Sequence, residues 1–353
     1  MGSLPRYRTA RTIDAWAPVR ICDVGGWTDT WFARHGCVFN IAVSPGVEVR
    51  ISARPRAISE PHVTLHAVNY GERYAVEPTR EGGGPHPLLE AAIADLAPPP
   101  DTAVEVSVRS DVPPGCGTGT SAAVMVALVA ALDRLGGGGM TPADIAQRAH
   151  RIEVERLGLQ SGIQDQWAAA LGGINLIEID AYPEARVSPV KVSPEAWRDL
   201  DRRLLLVYLG KAHRSSAVHD LVIASLARDG EASPRLEALR RTAGRSAAAL
   251  TRGDFALLGE AMRDNTAAQA ALHPDLVGTQ ARALIALARD RDVPGWKVNG
   301  AGGDGGAVTL LCGDSDRGRR DLVGAIAAAF PAFRIIPTTV SPFGVRVTDT
   351  ACP

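Results

Sequence analysis

The stretch DVPPGCGTGTSAAV, residues 111–124, sets Gly115, Gly117 and Gly119 between Pro114 and the hydroxyls of Thr118, Thr120 and Ser121, then runs straight into an apolar segment. Such a stretch can hold an anion. Glycines let the backbone wrap closely around an oxygen-rich group, and a helix start leaves N–H groups unpaired beside a partial positive charge. Pro114, Gly115, Cys116, Gly117, Thr118, Gly119, Thr120 and Ser121 therefore read as a phosphate cradle. It is not a Walker loop, because no Gly-Lys-Ser/Thr follows. The same letters also spell a plain glycine turn with a serine or threonine side chain capping the helix. Cys116 likewise has two readings, a reactive nucleophile and a small residue that fits.

The elements that must position this loop lie on both sides of it. VEVSV alternates Val104, Val106 and Val108 with polar neighbours, the pattern of a half-buried strand. SAAVMVALVAAL, residues 121–132, is apolar on every side, as a buried helix is. TPADIAQRAHRIEVERLG predicts a second helix, capped by Thr141, opened by Pro142 and stopped by Gly158. On that helix Glu153 lies beside the stripe Ile145, Ala149, Ile152, and Glu155 falls on the other flank. INLIEI and LLLVYL read as strands on either side of the Pro-punctuated YPEARVSPVKVSPEAW, residues 182–197. The whole reads as α+β. A chain of 353 residues is too long for one ordinary core, so two domains are expected, 1–185 and 186–353.

Bulk properties exclude several classes. The formal net charge is −1, so no bulk field draws nucleic acid or an anionic membrane. The longest near-apolar stretch, 121–132, is too short to span a bilayer. Arg6, Arg8 and Arg11 are followed by no apolar core of a secretory signal, so the expected location is cytoplasmic. The five cysteines are odd in number, widely spaced and without a C-x-x-C, which supports neither a disulfide framework nor a zinc site.

Two further stretches, APVRICDVGGWTDT (17–30) and KVNGAGGDGGAVTLL (297–311), join the glycine loop in one pattern. Together the three resemble the motif set of the GHMP kinases, the superfamily of galactokinase, homoserine kinase, mevalonate kinase and phosphomevalonate kinase. The likeness runs from about Ala17 to about Leu311. GGWTDT and SGIQDQWAAALGG (161–173) look more like the fucokinase and heptose-phosphate kinase branch than like galactokinases, where Glu-His stands in place of Gly26 and Trp27. Asp304 departs from the third motif, where glycine is usual. An anion there repels bound phosphates unless it points away.

The resemblance implies a two-domain GHMP kinase fold, with an N-terminal domain of the ribosomal protein S5 domain 2-like type and a C-terminal ferredoxin-like α/β sandwich. It implies ATP and Mg²⁺ as cofactors and a sugar or sugar phosphate as acceptor, phosphorylated at the anomeric hydroxyl. Asp165 matches the catalytic aspartate and Arg20 the basic residue of the first motif. Ser121 and Glu153 would hold the metal, Glu153 standing twelve residues before Asp165 as in the family. Asp29, Gly26, Trp27, Thr28, Arg214 and Gly302 would bind the acceptor. Trp27 can equally be a packed core indole. Lys211, His213 and Arg214, or Arg34, are candidate cations for a substrate phosphate, and a fucose-like sugar or an aminocyclitol is the alternative acceptor. A homodimer is an open assembly. A catalytically silent sugar- and ATP-binding regulator is the rival from another class, and retention of Asp165, Arg20 and Glu153 argues against it.

Overall fold

Two long strands rich in valine and isoleucine organise the first half of the chain. In the computed structural model, which describes residues 10–79, 83–212, 215–226 and 230–351, the order is β1 (Arg11–Val24), β2 (Gly36–Pro55), β3 (Val63–Ala67), β4 (Glu72–Val76), α1 (Pro87–Asp95), β5 (Thr102–Ser110), α2 (Thr120–Gly136), α3 (Pro142–Arg151), α4 (Gln164–Leu171), β6 (Ile174–Ala181) and β7 (Glu184–Pro189). There follow α5 (Pro194–Arg203), β8 (Leu204–Tyr208), α6 (Ser215–Leu226), α7 (Pro234–Thr251), α8 (Phe255–Leu272), α9 (Thr279–Arg289), β9 (Gly295–Val298), β10 (Ala307–Leu311), α10 (Asp316–Ala329), β11 (Arg334–Ile336), β12 (Thr339–Val340) and β13 (Arg346–Ala351). Among the described residues no helix is long and apolar enough to cross a membrane.

The first sheet runs β13-β1-β2-β5-β3-β4, with β6 and β12 also paired to β2 and β7 to β6. Only β3 and β5 run parallel. The β1–β2 ladder shifts register between Pro18 and Val19 and again between Ile21 and Val24. Those irregularities flank Arg20, and Asp23 lies within the second. Bulges of this kind turn side chains out of the ladder, commonly beside functional sites. The second sheet is antiparallel in the order β11-β8-β10-β9. With helices between β8 and β9 and α10 between β10 and β11, it is a ferredoxin-like βαββαβ arrangement, as the resemblance implied. The 185/186 division runs through β7, which pairs with β6, and β13 returns to β1, bringing residues 346–351 back to the first sheet.

The α2 segment is buried almost all round, from Ala122 to Leu132 with Val124 partly exposed, which accounts for its lack of a polar face. Its N-cap is Gly119, at φ 69°, and no side chain caps it. The serine- or threonine-capped turn is therefore not what the loop forms, and the first N–H groups of α2 are left for something else. At α3 the Thr141 hydroxyl accepts from the Asp144 N–H at 3.2 Å, and the Thr141 N–H donates to the Asp144 carboxylate at 2.8 Å, a reciprocal capping box. The α-helix ends sooner than the pattern predicted. Ile152–Arg156 form a π-helical turn before Gly158 reverses the chain at φ 62°. That wider turn leaves Glu153 buried and Glu155 exposed.

Removing the α3 cap with Thr141→Ala is expected to lower stability by about 1 kcal/mol in urea unfolding. An unchanged midpoint would mean that the box contributes nothing to the fold.

Candidate active site

A single cleft of about 880 Å³ runs past the mouth of α2. One end is apolar, walled by Tyr70, His86, Leu88, Val108 and Val112 with Asn69 beside them. The His86 ring lies against Tyr70 and Tyr74, with centroids at 5.1 and 6.2 Å. The glycine loop from Pro114 to Ser121 lines the middle. Arg20, Asp29, Glu153, Gln164, Asp165 and Asp220 line the other end.

Arg20 is 4 % exposed and binds on three sides. Its Nε donates to Asp165 Oδ1 at 2.7 Å and its Nη2 to Asp165 Oδ2 at 3.1 Å, a two-point fork. Its Nη1 donates to the Gly117 carbonyl, and its backbone N–H to the Thr118 carbonyl at 3.0 Å. Burial works against the guanidinium charge, but Asp165 and then Asp23 more than offset it, and its pKa lies above the ordinary value. Asp165 opens α4 and presses on the loop. A Cβ on Gly119 would sit 3.0 Å from its carboxyl carbon, so only glycine, already in left-handed backbone, lets the carboxylate come this close.

Glu153 is buried, with Oε2 accepting from the Ser161 hydroxyl and from Gln166 Nε2, both at 2.8 Å. Its Oε1 is buried without a hydrogen-bond partner. Desolvation pushes its pKa up to about 7, the Ser161 hydrogen bond lowering it and Asp165 raising it further. A buried carboxylate with one oxygen unmet is suited to a hard divalent cation, whose charge would reverse that desolvation. The hydroxyl of Ser121 opens on the same cleft. Among the described residues no group of three or more His, Cys, Asp and Glu forms a metal cluster, so a cation here would keep waters or phosphate oxygens as further ligands.

Asp29 is 2 % exposed and accepts the Gln164 N–H at 3.1 Å. Burial pushes its pKa up from 3.8 to about 6; the Gln164 N–H lowers it, and Asp165 raises it. Gln164 Oε1 is buried and unpartnered, and Asn40 Nδ2 donates to the Gln164 carbonyl at 3.4 Å from behind.

Three expected acceptor contacts fall elsewhere. Gly26 does not line the cleft; it lies in a turn where its N–H donates to the Asp23 carbonyl at 3.2 Å. The Thr28 hydroxyl is fully buried, donating to the Gly25 carbonyl at 2.7 Å and accepting the Cys37 N–H at 3.1 Å, so it ties that turn together. Gly302 sits where a Cβ would meet the Leu276 carbonyl at 2.1 Å, so it packs closely there and does not line the cleft. Trp27 lines the cleft and packs with Ala33, Leu236 and Leu239, so it is at least in part a core indole. Arg214 and His213 lie outside the described residues. Lys211 is bound to Asp304 at 2.5 Å and Arg34 to Glu231 at 3.3 Å, and neither lines the cleft. The first pair also meets the charge problem posed by Asp304. Cys116 is the small residue that fits, since burial pushes its thiol up to about 12.

Sequence reasoning missed Asp23, Lys297 and the apolar end. Asp23 is 1 % exposed and accepts the Gly300 N–H on both oxygens, at 3.1 and 3.0 Å. Lys297 Nζ stands 3.5 Å away. Both residues lie inside the quoted motifs, and a lysine among the apolar letters of GWKV was the available signal. Tyr70, His86 and Val112 come from separate elements and carried none.

Residues 88–173 match the family described as GHMP kinases N terminal domain. The chain is 28 % identical to a mevalonate kinase of Methanothermobacter thermautotrophicus over 86 % of its own length and 93 % of that protein. It is 26 % identical to a D-glycero-alpha-D-manno-heptose 7-phosphate kinase of Campylobacter jejuni over 56 % of its own length and 58 % of that protein. Among solved structures, a D-glycero-D-manno-heptose 1-phosphate kinase from Bacteriodes thetaiotaomicron superposes with a TM-score of 0.72 at 18 % identity, covering 95 % of this chain and 98 % of that one. An arginine-gripped aspartate at a glycine loop, a split βαββαβ sheet and these likenesses converge: residues 88–173 form a GHMP kinase N-terminal domain, the chain is similar over most of its length to a kinase of that superfamily, and it is a phosphotransferase.

Proposed function

We propose that this protein is an ATP- and Mg²⁺-dependent kinase that phosphorylates a sugar, at its anomeric hydroxyl. The observation that carries this reading is Asp165, packed on Gly119 at the uncapped head of α2 and gripped by Arg20. Phosphoryl transfer asks for alignment and charge stabilisation more than for covalent chemistry. The apolar slot between Tyr70, His86 and Leu88 suits a purine. The glycine loop and the first N–H groups of α2 suit the phosphates. Ser121 and Glu153 would hold a divalent cation, which supplies charge neutralisation at the phosphates.

The chain's own residues then divide the work. Asp165 orients the acceptor hydroxyl and takes its proton. Arg20 fixes Asp165 against the loop and stabilises charge on the group in transit. Asp29 and Gln164 Oε1 accept from sugar hydroxyls. An acceptor end furnished by hydrogen-bond acceptors favours a donor-rich polyol over a carboxylate such as mevalonate. With Lys211 and Arg34 already paired, the described residues also favour a sugar without a phosphate; Arg214 lies outside them. The anomeric position rests on the likeness of GGWTDT and SGIQDQWAAALGG to heptose-phosphate kinases and fucokinases. The mevalonate kinase relative supports a second reading, an isoprenoid acceptor.

ADP release over fucose, other hexoses, a heptose, heptose 7-phosphate, an aminocyclitol and mevalonate separates these readings. The expected result is release with an unphosphorylated sugar, abolished by EDTA. Release with mevalonate alone would transfer the assignment to the second reading. ATP binding without release, over the whole panel, would favour the silent regulator.

Asp165→Asn is expected to keep ATP binding in calorimetry while kcat falls by about 100-fold or more. Near-normal turnover would remove Asp165 from its role.

Asp29 also sets a pH dependence. Its folded pKa of about 6 lies above the unfolded 3.8, so folding takes up protons between those values. Its contribution to stability is therefore present below about pH 4 and is lost as pH rises through about 6. At roughly 1.4 kcal/mol per unit this is on the order of 3 kcal/mol. In urea unfolding, Asp29→Asn should gain about 2 kcal/mol of this on the unliganded native protein between about pH 4.5 and about pH 7.5. A constant difference between the two proteins would show that Asp29 is not desolvated in this way.

A further inference from the structure

Four charged side chains form a chain from the second sheet to the reaction centre. Lys297 on β9 is 1 % exposed. Its Nζ donates to Gln269 Oε1 at 3.0 Å and to the Val298 carbonyl, and lies 3.5 Å from Asp23 Oδ1. Asp23 is itself 4.0 Å from Arg20 Nη1, and Arg20 forks Asp165. The backbone joins in at Gly300. Its N–H donates to Asp23 and its carbonyl accepts from Gln269 Nε2 at 3.2 Å. A Cβ on Gly300 would sit 2.8 Å from the Gly117 carbonyl, so this clamped residue rests directly on the phosphate loop.

Two buried carboxylates thus compete for one guanidinium. Asp165 wins, at 2.7 Å against 4.0 Å for Asp23. The outcome depends on Asp23 having other partners. A buried carboxylate left with one N–H donor and no cation of its own carries a desolvation penalty of several kcal/mol. The nearest relief would be the Arg20 guanidinium, drawn off Asp165 and off Gly117. The lysine ammonium, itself held by Gln269 and a carbonyl, removes that pull.

We propose that Lys297 is a positioning residue: by satisfying Asp23 it keeps the Arg20 guanidinium on Asp165, and with Gln269 it holds Gly300 against the phosphate loop. The proposal rests on the kinase reading only for the part played by Asp165. Lys297 lies behind Asp23 and Gly300, does not line the cleft and touches no reacting atom.

The test is a cycle of Lys297→Met, Asp23→Asn and the double variant, read by steady-state kinetics and by the Arg20 Nε–H resonance. The resonance is assigned by its loss in Arg20→Lys. Lys297→Met is expected to lower kcat about tenfold or more with acceptor KM within about threefold, and to displace the Arg20 resonance. Asp23→Asn in that background neutralises the competitor, so the double variant should recover most of the lost kcat and return the resonance. A purely structural lysine would instead give losses that multiply. A Lys297→Met protein with kcat within about twofold of the parent, or a double variant slower than either single one, overturns the proposal. Should Lys297→Met not fold, the double variant, which buries neither charge, carries the test. A parent-like Arg20 resonance then supports the proposal and a displaced one overturns it. The resonance needs no turnover, so absence of ADP release from the unmodified protein would end the kinase reading and leave this inference to be decided by the spectra.

Discussion

A nearly desolvated guanidinium holding a carboxylate on one side and a loop carbonyl on the other is the contact around which the site is arranged. Arg20 reaches Asp165 with two N–H groups and Gly117 with a third. Paired in this way, a buried arginine is tolerable; stripped of either partner it would be a large cost. The geometry of the β1–β2 ladder follows from that need. A regular strand would leave Arg20 and Asp23 bound to strict alternation, and the register shifts, one before Arg20 and one containing Asp23, free both for tertiary contacts. The glycine loop is shaped by the same demand, since Gly119 must be both left-handed and without a Cβ for Asp165 to approach.

Legibility in the sequence followed the distance over which each contact acts. The helix behind the loop and the α3 cap are local events, decided by neighbouring letters, and both form as read. Glu153 and Glu155 were separated by helical periodicity, although a π-helical turn, which no pattern announced, is what leaves Glu153 inside. Asp165 and Arg20 were legible through a resemblance rather than through spacing; nothing in residues 20 and 165 alone says that they meet.

The positions whose shown contacts are turns and close packing share a feature. Gly26, Thr28 and Gly302 carry letters that serve equally to contact a ligand and to build the turn that presents one. Thr28 spends its hydroxyl on Gly25 and Cys37, and Gly302 exists for the closeness of Leu276. Only tertiary placement separates the two uses. Asp23 and Lys297 show the converse. Their letters look like surface charges, and their burial depends on β1 and β9 coming together from distant parts of the chain.

Charge balance in the cleft bears on what can enter it. Among the described residues the cleft collects Asp23, Asp29, Glu153, Asp165 and Asp220, while Arg20 is the arginine or lysine that lines it. Arg20 is already held by Asp165, and Lys297 faces Asp23 from behind. A polyphosphate brought bare to this surface would meet carboxylates in a partly desolvated space, where repulsion is far stronger than in water. The helix start and loop amides offset only about half a charge. Under the proposed kinase reading the anion would arrive with its own cation, and the unmet Oε1 of Glu153, whose pKa is already raised by burial, is where such a cation would gain most. An acceptor rich in hydroxyl donors fits the same field without opposing it, whereas an acceptor bearing a carboxylate or phosphate would need a compensating base at the point where its charge comes to rest.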